Sequence, residues 1–154
     1  MKTSATVELE SPETDQKTLM FRQLFHIFRN ERALPRLTWH PGAAVVARDH
    51  SMDMELRDFF SHTNPDGLGP GQRVRAAGIT AYVGENIAFG VKEPAGFGDP
   101  ARAAEGLWQK PLLQAWMDGT PQHAANLLVV PPQYTHFAAG RFGVYWTYLI
   151  LGGI

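Results

Sequence analysis

Gly84-Glu85-Asn86-Ile87-Ala88-Phe89-Gly90 closes a stretch that opens with Phe59-Phe60-Ser61-His62-Thr63-Asn64-Pro65-Asp66-Gly67, and how these residues are read decides how the chain is organised. A histidine after two aromatics, and a glutamate inside a glycine-bounded apolar strand, each bring a polar group that needs a partner once buried. They could serve each other. His123, in Thr120-Pro121-Gln122-His123-Ala124-Ala125-Asn126, lies far beyond Glu85 in sequence, so the three can meet only if the fold brings them together.

Working outward, Asn64 to Gly71 contains every strong turn former and predicts a surface loop beside His62. Gln72 to Ala77 suits one short helical turn closed by Gly78. Tyr82-Val83 and Ile87-Ala88-Phe89 read as a strand interrupted by the polar pair Glu85-Asn86. Upstream, Met20, Leu24 and Ile27 run at helical spacing beside Phe21, Phe25 and Phe28, which predicts a helix from Lys17 with a broad apolar face, ending around Asn30 to Arg32. Leu37-Thr38-Trp39 reads as a linker. Pro41 suits the first turn of a second helix that ends near Phe59, with Ala43, Ala47, His50 and Met54 on one side and Arg48, Asp49, Asp53 and Arg57 on the other.

Downstream, 92–100 reads as a loop, and 101–108 and 111–117 as helical pieces separated at Pro111, the second closed by Gly119. A short turn is expected over Ala124 to Val130, after His123. Phe137 to Arg141 and Val144 to Leu151 predict a hairpin around Gly143. Trp39, Trp108, Trp116 and Trp146 are core candidates. Residues 1–16, polar and without periodicity, are expected to form a flexible lead-in, and 17–154 a single α+β domain.

Composition narrows the functional classes. At 154 residues and 44% hydrophobic content the chain can bury its own core, and 14 basic against 15 acidic side chains leave no electrostatic footprint for nucleic acid. The longest strongly apolar run, Tyr145 to Leu151, falls far short of the ~20 residues a spanning helix needs, so no transmembrane segment is expected. With no cysteine there is neither a thiolate metal site nor a cysteine nucleophile. The polar start lacks the apolar region of a signal peptide, which fits a cytoplasmic protein or a trimmed mature product.

Several strings form an ordered set: Asn30-Glu31-Arg32, Leu37-Thr38-Trp39, Ala47 to Met54, Phe60-Ser61-His62, Pro65-Asp66-Gly67, Arg73 with Gly78, Gly84-Glu85-Asn86-Ile87-Ala88, Trp116-Met117, His123 with Asn126, and Tyr145-Trp146-Thr147. Over roughly residues 19 to 151 the set resembles the bacterial, SCP-like branch of the superfamily of cysteine-rich secretory, antigen five and pathogenesis-related proteins, the CAP domain. The resemblance implies an α-β-α sandwich, a central antiparallel sheet flanked by helices, with an open cleft lined by two histidines and acidic residues. By position, His62 matches the first cleft histidine, Glu85 the glutamate of the Gly-Glu-Asn motif and His123 the second histidine. It further implies a secreted or envelope-attached protein, divalent metal in the cleft of some members, and sterol or lipid ligands in some eukaryotic ones. It does not imply a particular reaction. The chain departs from the pattern in three ways. Gly119 stands where eukaryotic members carry a second glutamate, with Asp118 the neighbouring substitute. Thr120-Pro121-Gln122-His123-Ala124 lacks an arginine usual after the histidine in bacterial relatives, and the eukaryotic disulfides are missing.

Two imidazoles and a carboxylate are the ligand types of an open zinc site, so His62, His123 and Glu85 are the metal candidates, and the same three are the catalytic candidates. Residue types alone favour a hydrogen-bonded structural cluster instead, and Glu85 could simply tie down loop N–H groups. Ser61 has no Gly-x-Ser-x-Gly elbow and is a poor nucleophile candidate. His26, His40, His50 and His136 read as structural or surface residues, His50 needing a partner on the apolar stripe. Three readings follow: a monomeric binding or scaffold domain with a metal-capable cleft for a peptide, glycan or lipid; a metal-assisted hydrolase of peptide or envelope material; and a purely structural or partner-docking module.

Overall fold

The computed structural model describes residues 9–90 and 111–154. The expected loop at 92–100, the helix at 101–108 with Trp108, and the first half of the lead-in lie outside the described residues. The elements run α1 (Gln16–Glu31), β1 (Thr38–Trp39), α2 (Pro41–Arg57), α3 (Pro70–Ala76), β2 (Tyr82–Phe89), α4 (Pro111–Met117), α5 (Pro121–Leu128), β3 (His136–Phe142) and β4 (Tyr145–Gly152).

The double apolar stripe of α1 buries Met20, Phe21, Leu24, Phe25 and Phe28, and Asp15 caps its start by accepting from the Thr18 N–H. In α2 the small residues Ala43, Ala44 and Ala47 are fully buried. They let the helix lie directly on the sheet at Gly140, where an added Cβ would overlap the Arg48 backbone. His40 caps α2, its Nδ1 accepting from Ala43 N.

The four strands form one sheet in the order β1-β3-β4-β2. The β3–β4 and β4–β2 pairs are antiparallel, and β1 adds in parallel beside β3. The sheet is therefore mixed rather than wholly antiparallel, because the segment read as a linker, Thr38-Trp39, pairs with His136-Phe137. Alternation along β4 separates two layers. Trp146 and Tyr148 meet Phe21 of α1, Trp116 of α4 packs on Tyr148, and the Tyr148 hydroxyl donates to Asn126 O of α5. Thr147 points the other way, to Ser51 of α2. Helices α1, α4 and α5 thus cover one face and α2 and α3 the other, completing the expected sandwich.

Two further readings are corrected. Strand β2 is continuous through Glu85-Asn86, because a strand needs only alternate side chains to suit each face and both find polar partners. The turn expected after His123 is a helix that begins before it, at Pro121, where proline's missing N–H is harmless. Within the expected lead-in, residues 9–15 are tied to the body: Trp39 Nε1 donates to Glu13 at 2.7 Å and Arg141 pairs with Asp15 at 2.7 Å.

Candidate functional site

Strand β2 is an edge of the sheet, and the triplet Gly84-Glu85-Asn86 makes that edge a junction. A Cβ on Gly84 would sit 2.9 Å from Asn126 Oδ1 and 3.0 Å from Ile150 Cγ2, so only glycine lets α5 close on the strand here. Glu85 and Asn86 point to opposite faces. Asn86 Nδ2 donates to His123 O at 2.9 Å, and Asn126 Nδ2 donates to Asn86 Oδ1 at 3.0 Å. The outward carbonyls of β2, an open edge that would otherwise invite another strand, are taken by Asn126 Nδ2 at Glu85 O and by Trp116 Nε1 at Ile87 O.

On the other face the Glu85 side chain is only 1% exposed. Arg73 Nη2, from α3, donates to Oε2 at 2.8 Å and Oε1 at 3.1 Å, and His62 Nδ1 lies 2.8 Å from Oε1. A carboxylate already accepting from a guanidinium makes Nδ1 of His62 the donor. The proton on Nδ1 leaves the Nε2 lone pair of His62 for another partner, and this side chain is 48% exposed. Glu85 therefore sets the tautomer and orientation of a solvent-reachable imidazole.

The backbone beneath His62 is held as well. Arg73 Nη2 donates to His62 O at 2.8 Å, and His50 Nε2 lies 2.9 Å from Ser61 O. Burial lowers the His50 pKa, opposed by the neighbouring Glu85 charge and reinforced by Arg73. A neutral His50 with its proton on Nε2 is the donor to Ser61 O, which supplies the partner its apolar position required. The Ser61 hydroxyl accepts from Thr63 N within the turn. Next to it, Asn64 Oδ1 accepts from Asp66 N and Leu68 N, which fixes the loop that carries His62.

His62 and Glu85 thus meet directly, whereas His123 joins through its backbone carbonyl. The ring of His123 is half-buried and lies over Gly119, with Nδ1 2.9 Å from where a Cβ of that residue would stand. A glutamate at 119 would displace that ring. Asp118 is exposed and accepts from Gln114 Nε2. Among the described residues, no three His, Asp or Glu side chains are grouped so as to hold a metal ion. The Glu85 oxygens are already engaged by Arg73 and His62, so the donor atom this cluster leaves towards solvent is His62 Nε2.

Arg73, His50 and Asn126 are the site residues that sequence reasoning did not assign roles to. Arg73 and Asn126 stood only as members of the ordered motif set, and no periodicity marks an arginine on a short helix as the partner of a glutamate on a later strand. His50 gave a signal, a polar ring on an apolar stripe, without a partner being named.

The family model for the cysteine-rich secretory protein family (CAP) matches residues 23–141. The uncharacterized protein YkwD of Bacillus subtilis (strain 168) is 28% identical over 133 residues, covering 84% of this chain and 45% of that protein. An extracellular protein containing a SCP domain from Bacillus anthracis superposes with a TM-score of 0.67 at 25% identity, over 95% of this chain and 45% of that one. An outer surface protein from Borrelia burgdorferi gives 0.72 at 15% identity, over 95% and 97%. The chain spans less than half the length of both Bacillus relatives.

Proposed function

The chain belongs to the cysteine-rich secretory protein (CAP) family, and from that premise we propose that it is a binding domain whose cleft presents the His62 imidazole to a ligand. The observation that carries this reading is the His62–Glu85–Arg73 chain, in which two buried charged groups hold one half-exposed ring in a single tautomer. A ring nitrogen backed by a carboxylate is the arrangement of an oriented metal ligand. His62 and His123 would hold a divalent cation such as zinc, with Glu85 behind His62 rather than on the ion. The cation, when bound, would supply Lewis acidity. Residues His62, Glu85 and Arg73 orient and insulate, and a peptide, glycan or lipid group would enter from the exposed side of His62. The extracellular and outer-surface descriptions of two structural neighbours support a site of action outside the cell or at its envelope.

Zinc or cadmium titration of the purified protein, followed by calorimetry, tests the reading. Saturable binding that is lost in both His62→Ala and His123→Ala is the expected result, and binding indifferent to both substitutions would reject the metal part. The same dyad is also the arrangement of a general base, with His62 Nε2 receiving a proton and Glu85 holding Nδ1–H. This favours hydrolysis as the second reading. It requires turnover of a peptide or envelope substrate that disappears in His62→Ala and survives chelation, because an Nε2 that accepts a proton is not bound to a metal.

A further inference from the structure

At the sheet edge opposite β2, where β1 lies three interstrand spacings or roughly 14 Å from β2, a hollow of about 300 Å³ opens between α1 and β1, lined by Arg22, His26, Arg36, Leu37, Thr38 and Trp39. Positive charge gathers here in a chain whose net charge is -1. The Arg22 guanidinium lies over the Trp39 ring, 4.9 Å from its centroid. Stacking uses the face of a guanidinium and leaves its edge donors available. Arg36 is exposed and has no hydrogen bond or ion pair among the described residues. Behind them Arg29 is buried, and its bonds go to the Pro35, Leu127 and Val129 carbonyls rather than to any carboxylate. Glu13, which accepts from Trp39 Nε1 at 2.7 Å, forms a loose ion pair with Arg22 at 3.6 Å. Two guanidiniums line the hollow with a third buried behind them, and of the two only Arg22 has a carboxylate partner.

His26 registers that field. Its Nδ1 is buried without a hydrogen-bond partner, and burial followed by Arg36, Arg22 and Arg29 holds its pKa down to about 4. The ring packs edge-on against Phe137, 5.3 Å between centroids.

We propose that this hollow binds a phosphate group, held by the Arg22 and Arg36 guanidiniums with the Thr38 hydroxyl alongside. Paired guanidinium edges match the oxygens of a tetrahedral phosphate better than those of a planar carboxylate held by a single fork. The volume admits the group with a small substituent attached. The site is separate from the His62 cleft, and occupying it supplies the counter-charge that Arg36 lacks.

The test is an NMR titration of the full chain at constant ionic strength, following the Leu37 to Trp39 amides at about pH 7, where acetate is ionised, and the His26 ring through its own pH titration with and without phosphate. Probes are inorganic phosphate, methyl phosphate, acetate and chloride. Phosphate binding should move the His26 midpoint upward by about one pH unit, because a nearby anion favours the imidazolium. The amide shifts should saturate, and both responses should disappear in Arg36→Gln and in Arg22→Gln. Arg36 is exposed, so Arg36→Gln should melt with the wild type, which separates loss of binding from loss of fold. A stronger response to inorganic phosphate assigns the free ion, and one at least as strong to methyl phosphate assigns an esterified group. An equal response to acetate or chloride would overturn the proposal, as would a saturable response that survives either substitution.

Discussion

Removing the Glu85 carboxylate should expose how much of the fold rests on one buried charge pair. Of its two partners, His62 is half exposed, and a bond to such a group contributes only about 0–1 kcal/mol. Arg73 is different, with its side chain 9% exposed, Nη2 spent on Glu85 and the His62 carbonyl, and Nε and Nη1 buried without partners. In Glu85→Ala that guanidinium stays buried with the His62 carbonyl as its acceptor. Breaking one side of a buried pair costs about 3–5 kcal/mol. For a chain of this size each kcal/mol lowers Tm by about 2–4 °C, so a fall of roughly 6–20 °C is expected. Urea denaturation monitored by circular dichroism measures the loss directly, and the Arg73→Ala/Glu85→Ala double variant closes the cycle. The double variant should be less destabilised than the sum of the two single changes, because the second substitution removes a charge already stranded. A loss in Glu85→Ala below about 1 kcal/mol, the range of an exposed pair, would refute the reasoning. So would simple additivity in the cycle.

Two other outcomes follow from the same structure. Folded His26 and His50 both have pKa values held below the ordinary 6.5, first by burial, His26 at about 4. The unfolded chain therefore binds more protons below pH 6.5, and stability should be full above that pH and fall as pH drops towards 4. Urea midpoints in phosphate-free buffer at about pH 7 and about pH 4.5 should show the fall, and His26→Gln should flatten it; a steeper dependence in the variant contradicts the assignment. At the contact of α2 with β3, a Cβ on Gly140 would stand 2.6 Å from Arg48 Cα. Gly140→Ala should cost about 1–3 kcal/mol or more as helix and sheet are forced apart, with a wild-type melting temperature as the contrary result.

Much of the architecture was legible because it rests on local periodicity. The Phe21, Phe25, Phe28 stripe specifies a helix whatever it packs on, and the β-branched and aromatic residues of Phe137 to Arg141 and Val144 to Leu151 specify a hairpin around Gly143, whose φ is +59°. The short parallel strand Thr38-Trp39 was not legible, since two residues carry no period and their pairing depends on where β3 lies. Glu85-Asn86 looked like an interruption because polarity along a strand is ambiguous until its neighbours on each face are known.

The sequence by itself determined helices α1, α2 and α4, the hairpin, the family and the pair His62 and Glu85 as possible partners. Tertiary structure alone decided the rest: that Arg73 neutralises Glu85, that His50 and Arg73 pin the carbonyls around His62, and that His123 joins through its backbone. The reason is physical. A period of 3.6 or 2 is written in adjacent residues, whereas a buried charge finds its partner by desolvation and distance, which act between elements and leave no local signature.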